Sequence, residues 1–137
     1  MINIDDENNE KYIASASLNN IRCSTRKMKL IVDLIRNEEI ENALSILSNN
    51  SNIKKSLILK KLLLSLLSNW KKKYNKVNLN NYILFIKYIW VNQKKTIKRI
   101  RAVPQGRGHR IRKKSSSVVV FLERKKKIYG TKNKSYN

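Results

Sequence analysis

The sequence predicts an α+β fold: three helices packed on a small three-stranded antiparallel sheet, with a long basic β-hairpin protruding. Three observations lead there. Apolar residues recur at helical spacing in three successive segments between residues 25 and 74. Chain character then switches to β-branched and aromatic runs, YILFIKYIWV at 82–91 and SVVVFL at 117–122. Between those runs lies KKTIKRIRAVPQGRGHRIRKK, residues 94–114, with Pro104, Gly106 and Gly108 clustered at its middle as a hairpin tip requires.

Residues 1–13 read as an acidic, polar tail, and YIASASLNNIRCS alternates loosely enough for a short strand over about Ala14 to Arg22. Ser24 suits the N-cap of a helix through TRKMKLIVDLIRN, where Met28, Ile31, Val32 and Ile35 share one face and Asn37 suits the end. In the second helix Glu38, Glu39 and Glu41 favour the positive N-terminal dipole, and Ile40, Ala43, Leu44 and Leu47 form the stripe. SNNSN breaks it. The third helix covers about Ile53 to Tyr74. Leu59, Leu62, Leu63, Leu66, Leu67 and Trp70 give it a face broader than a zipper seam, as core packing requires, and Lys71, Lys72 and Lys73 suit its C-terminal dipole. The two apolar strands pair at the hairpin's base, against these helices. One domain over 14–124 results, including the hairpin 94–114, followed by a basic tail over 125–137.

Charge narrows the function. The 137 residues carry 31 Lys and Arg against 9 Asp and Glu, a formal net charge of +22, which points to a polyanionic partner. From Asn42 to Leu122 there is no acid. A hydrophobic share of 41% is that of a folded protein, not of a basic disordered chain. Cys23 and His109 are the only residues of their kinds. No intrachain disulfide or Cys/His zinc site is therefore possible, and Cys23 reads as a structural thiol of a reducing compartment. The basic half has no carboxylate for general-base work, and GRG at 106–108 lacks the strand–loop–helix setting of a phosphate-binding glycine motif. Neither an enzyme nor a cofactor protein is expected. No apolar run approaches the roughly 20 residues of a spanning helix, and MINIDDENNEKY resembles neither a secretory signal nor a transit peptide.

The hairpin arms cannot be buried in their own protein. Cations occur on both faces of each arm: Lys98 against Arg99 and Arg101 on the outgoing one, Arg110, Arg112 and Lys114 against Lys113 on the return. Roughly ten residues per arm at about 3.3 Å each extend on the order of 30 Å, and a two-stranded ribbon alone is marginal in water. Phosphates supply the missing countercharge, with Arg forks engaging their oxygens and released counterions driving association. Ile97, Ile100, Val103 and Ile111 can pack on sugars and bases, and Gly106 and Gly108 permit close backbone approach. The candidate phosphate ligands are Lys94, Lys95, Lys98, Arg99, Arg101, Arg107, Arg110, Arg112, Lys113 and Lys114 in the hairpin. Arg22 before helix one joins them, with Arg26 and Lys27 in its first turn, where cations oppose the dipole. The candidate tip comprises Val103, Pro104, Gln105, Gly106, Gly108 and His109, the histidine read as a polar tip residue. Trp70, Tyr88 and Trp90 could stack on bases, but core packing is the simpler expectation, and the KKK runs at 71–73 and 125–127 are generic.

These residues resemble the large-subunit ribosomal protein L-twenty-two family of bacterial or organellar type. STRKMKLIVDLIRN is similar to its S-P-R-K…V-V-D-L-I-R-G segment at Ser24, Arg26, Lys27, Val32, Asp33, Leu34, Ile35 and Arg36, and ENALSIL to the E-x-A-L-x-I-L helix that follows. The hairpin resembles K-R…A-x-G-R-A-x-R-I-x-K-R-T-S at Lys98, Arg99, Gly106, Arg107, Arg110, Ile111, Lys113 and Ser116. Thr25 stands at the family's proline, Asn37 at its glycine, Ser117 where histidine is frequent, and Ala102, Val103 and Pro104 where Pro-Arg-Ala is usual. The resemblance implies a non-enzymatic constituent of the large subunit that binds its rRNA, supports assembly and threads the hairpin along the peptide exit tunnel. Its partners would be rRNA, neighbouring large-subunit proteins and the passing nascent peptide, with no membrane, and it would be a monomer within the ribosome. Heavy Asn, Lys and Ile usage suggests an AT-rich genome: a plastid ribosome first, the cytoplasm of an AT-rich bacterium second. A non-specific nucleic-acid packaging protein is the competing reading, and a membrane-surface protein using the leucine-rich helix is a third.

Overall fold

A computed structural model describes residues 12–74 and 82–126. Nearly all of both tails therefore lies outside the described residues. The elements run β1 (Ile13–Ile21), α1 (Thr25–Val32), a 3-10 turn (Asp33–Ile35), α2 (Ile40–Asn49), α3 (Ile53–Lys73), β2 (Tyr82–Gln93), β3 (Ile97–Val103), β4 (Arg107–Lys113) and β5 (Ser116–Lys126). The class is α+β, with three α-helices and antiparallel strands. The strands form two sheets: a three-stranded one ordered β1-β5-β2, and a separate ribbon of β3 and β4. The hairpin is thus detached from the sheet it grows out of. The joint is held by the Lys94 N–H donating to the Ser115 carbonyl at 3.0 Å and by the Ser115 hydroxyl donating to the Lys95 carbonyl.

The core lies between the helices and one face of the three-stranded sheet. Met28, Ile31, Val32 and Ile35 are buried, as are Leu59, Leu62, Leu63, Leu66 and Trp70 from α3 and Val118, Val120 and Leu122 from β5. Leu44 and Leu67 pack at its margin. Burial of side chains this size stabilises by roughly 1.5–3 kcal/mol each before entropy is charged against it.

Helix one departs from expectation. Ser24 has the extended backbone of an N-cap, but its side chain makes no capping hydrogen bond. The α-helix stops at Val32 and tightens into the 3-10 turn, and Asn37 then takes a left-handed φ of 61°. This geometry carries the chain to the free edge of β2. There the Ile86 N–H donates to the Glu38 carbonyl at 2.9 Å, and Arg36 Nη1 donates to the Ile89 carbonyl at 3.0 Å. An edge strand otherwise open to pairing is closed by its own chain.

A second departure is in β2. Its register against β5 shifts between Ile86 and Tyr88, with Lys87 in the bulge. Leu84 and Ile86 face the core before the bulge, Ile89 and Val91 after it. Tyr88 and Trp90 therefore point to the open face, 51% and 42% exposed, and the expectation that they pack in the core is corrected. Trp70, 1% exposed, does pack there.

Candidate nucleic-acid interface

The ribbon pairs Ile97 with Lys113, Lys98 with Arg112, Arg99 with Ile111, Ile100 with Arg110, Arg101 with His109, Ala102 with Gly108 and Val103 with Arg107. Every β3 residue is exposed, and in β4 only Ile111 is partly covered. Lys98 and Arg112, like charges directly opposite, destabilise the ribbon unless anions lie over them. Lys98, Arg110 and Arg112 project from one face, Arg99, Arg101, Arg107 and Lys113 from the other. No ion pair neutralises any of them among the described residues, where the two salt bridges are Arg36–Asp33 and Lys87–Glu123. Countercharge must come from outside, and on both sides.

At the tip, Val103 pairs with Arg107 around Pro104, Gln105 and Gly106. Gln105 and Gly106 both adopt left-handed backbones, φ 65° and 67°. Gly106 meets this demand without strain, whereas Gln105 bears a Cβ penalty. Gly108 serves a different end: a Cβ there would stand 2.8 Å from the Ile100 Cγ2. Val103, Pro104, Gln105, Gly106, Gly108 and His109 are all exposed.

At the other end of the ribbon the fold gathers sequence-distant cations. Arg22, Lys27, Arg112, Lys113 and Lys114 line a cavity of about 460 Å³ with Cys23, Ser24 and Lys55, and no acid is among them. Lys94 and Lys95 are exposed at the joint, and Arg26 is exposed on α1 but does not line this cavity. Lys55 was not among the sequence candidates. The signal existed: the first turn of α3 has no acid and carries Lys54 and Lys55, the same opposition to the helix dipole that singled out Arg26 and Lys27. A larger cavity of about 570 Å³ between α2, α3 and β2 has Glu39 and Glu41 on its rim, a poor seat for a polyanion.

Among the described residues, no helix is long and apolar enough to cross a membrane, and no three His, Cys, Asp or Glu side chains group to hold a metal.

The family model described as "Ribosomal protein L22p/L17e" matches residues 16–123. The large ribosomal subunit protein uL22 of Karelsulcia muelleri is 44% identical over 124 residues, covering 89% of this chain and 90% of its own. That of Flavobacterium johnsoniae is 47% identical over 112 residues, 82% and 81% of the two chains. That of Bacteroides fragilis is 41% identical over 115 residues, 84% and 83%. The match runs from β1 into β5, across all three helices, the cationic cavity and the whole ribbon, and the chain belongs to the ribosomal protein L22p/L17e family.

Proposed function

We propose that the chain is a structural constituent of the large ribosomal subunit, without catalytic activity. It binds the subunit's rRNA, supports assembly, and extends its hairpin along the nascent-peptide exit tunnel. One observation carries the RNA reading: the ribbon bears cations on both faces and sets Lys98 opposite Arg112. A flat anionic surface would satisfy one side only, whereas folded RNA surrounds the ribbon with phosphates. In this reading Arg22, Lys27, Lys55 and Arg112 grip a backbone turn at the ribbon's root, and residues 103–109 meet the passing peptide. The protein acts as one unit over 14–124, as a monomer beside neighbouring subunit proteins and without a cofactor. The relatives named above are bacterial, which favours bacterial cytoplasm over a plastid.

The test has two parts. Through a high-salt sucrose cushion the protein stays with the large subunit; release to the soluble fraction would bring a free packaging role forward. Replacing Arg99, Arg101, Arg107 and Arg110 together with Gln lowers RNA affinity and flattens its salt dependence, by roughly 0.7–0.9 in log–log slope per lost phosphate contact. An unchanged slope would mean that the ribbon is not the ligand.

A further inference from the structure

The open face of the three-stranded sheet carries a second feature that the ribbon does not explain. Tyr88 and Trp90 project from β2 beside Phe121 of β5, with ring centroids 6.2 Å apart for the first pair and 5.2 Å for Trp90 and Phe121. Tyr88 pairs with Phe121 across the strands, and Trp90 with Val119. On the far side of β5, exposed Ser15 and Ser17 of β1 stand opposite Phe121 and Val119. Each row across the sheet thus offers an aromatic surface ending in a hydroxyl. The one acid on this part of the face, Glu123, is paired with Lys87.

We propose that this face is a stacking platform for unpaired RNA bases, separate from the phosphate-binding ribbon. The proposal rests on the rRNA-binding reading above. Bases stack on exposed π-faces of a sheet irrespective of sequence, and flanking hydroxyls reach their edges. Continuity supports RNA as the occupant: β2 runs from Tyr88 and Trp90 through exposed Asn92 and Gln93 directly to Lys94 and Lys95 at the ribbon's root. A strand whose bases lie on the rings keeps its backbone within the cationic field. An aliphatic partner surface exists elsewhere, where Ile53, Leu57 and Leu64 line the outside of α3. The sheet face is instead aromatic and hydroxyl-rimmed, the chemistry of a base rather than of an apolar helix.

The experiment uses the full chain, a single-stranded RNA dodecamer that cannot self-pair, and a duplex of equal length. Trp90 and Trp70 are the only tryptophans, and Trp70 is buried, so fluorescence quenching reports Trp90. The single strand quenches it and the duplex does not. The pair Tyr88→Leu and Trp90→Leu keeps apolar area but removes the π-faces; it weakens single-strand binding roughly 5- to 100-fold. Duplex binding and the salt slope stay unchanged, because no counterion is involved. Tyr88→Phe with Trp90→Phe keeps the rings and restores affinity, which separates stacking from misfolding. Unchanged single-strand affinity in the leucine variant, or wild-type quenching by the duplex alone, overturns the platform. So does a leucine variant that binds RNA normally but fails to join other large-subunit proteins, since the face would then be a protein contact. Failure of the ribbon's arginine variants to alter binding would sink the rRNA-binding reading instead, whatever the tryptophan shows.

Discussion

Arg36 bridges two elements distant in sequence: its Nη1 donates to the Ile89 carbonyl at 3.0 Å while its Nη2 holds Asp33 at 2.8 Å. The first bond closes the β2 edge just past the bulge, and the second fixes the guanidinium against the 3-10 turn. Exposure of 46% and 58% for the two side chains limits the ion pair's own value to at most about 1 kcal/mol. The bond to the strand carbonyl matters more, because removing its donor leaves an edge acceptor unpaired.

Arg36→Ala therefore lowers stability by about 1–2 kcal/mol, read as a lower urea midpoint at unchanged slope. Asp33→Ala costs less than half of that, since the bond to Ile89 survives it. Equal losses for the two variants would place the stabilisation in the ion pair and not at the sheet edge.

Much of this architecture is readable from the chain because its apolar periods are clean. The α3 stripe from Leu59 to Trp70 is buried as its spacing implies, and the alternating Val118, Val120 and Leu122 give β5 its core face. The misses have specific causes. Without the bulge at Lys87, the even-numbered residues Leu84, Ile86, Tyr88 and Trp90 would all face inward; one extra residue turns the last two outward. No glycine or proline marks that bulge. Helix one ends early because Glu38 and Arg36 bond to β2, a tertiary demand that propensity does not encode. Of the cationic cavity, Arg22, Lys27 and the ribbon residues were legible, but their convergence with Lys55 follows only from how α3 starts beside α1.

The bulged Lys87 has its pKa raised, chiefly by the hydrogen bond to Glu123; burial opposes the rise, and that carboxylate's charge adds a lesser upward push. For a lysine with a raised folded-state pKa, the stabilisation is complete below its ordinary value, about 10.4, and fades as pH rises through the raised one. The stability difference between wild type and Glu123→Gln is therefore constant from about pH 7 to 10 and shrinks above it. Urea melts at pH 8, 10 and 11.5 read this directly. A difference that persists undiminished at pH 11.5 would assign the gap to packing rather than to charge.

Gln105 is the strained residue of the tip, since its φ of 65° suits glycine or asparagine. Gln105→Asn keeps a polar amide and relieves the penalty, steadying the ribbon by about 0.5–1 kcal/mol. Because the ribbon's residues are exposed from its tip down to Ile111, the gain is local. Exchange of the amides hydrogen-bonded across the ribbon slows a few-fold in the RNA-free protein, with no change in the global urea midpoint. Gly106→Ala, at φ 67°, has the opposite effect on the same amides.

Lys55 separates the cavity from simple surface charge. It faces Arg22, Lys27 and Arg112 across the 460 Å³ cavity, whereas Lys61, exposed further along α3, does not line it. If a phosphate sits in the cavity, Lys55→Gln lowers the log–log salt slope of rRNA-fragment binding by roughly 0.7–0.9. Lys61→Gln removes the same formal charge and leaves the slope unchanged within error. The comparison holds net charge constant between the two variants, so long-range attraction cannot explain a difference between them. Equal, small effects of both would reduce the cavity to part of a diffuse positive field, and the grip on rRNA would then belong to the ribbon alone.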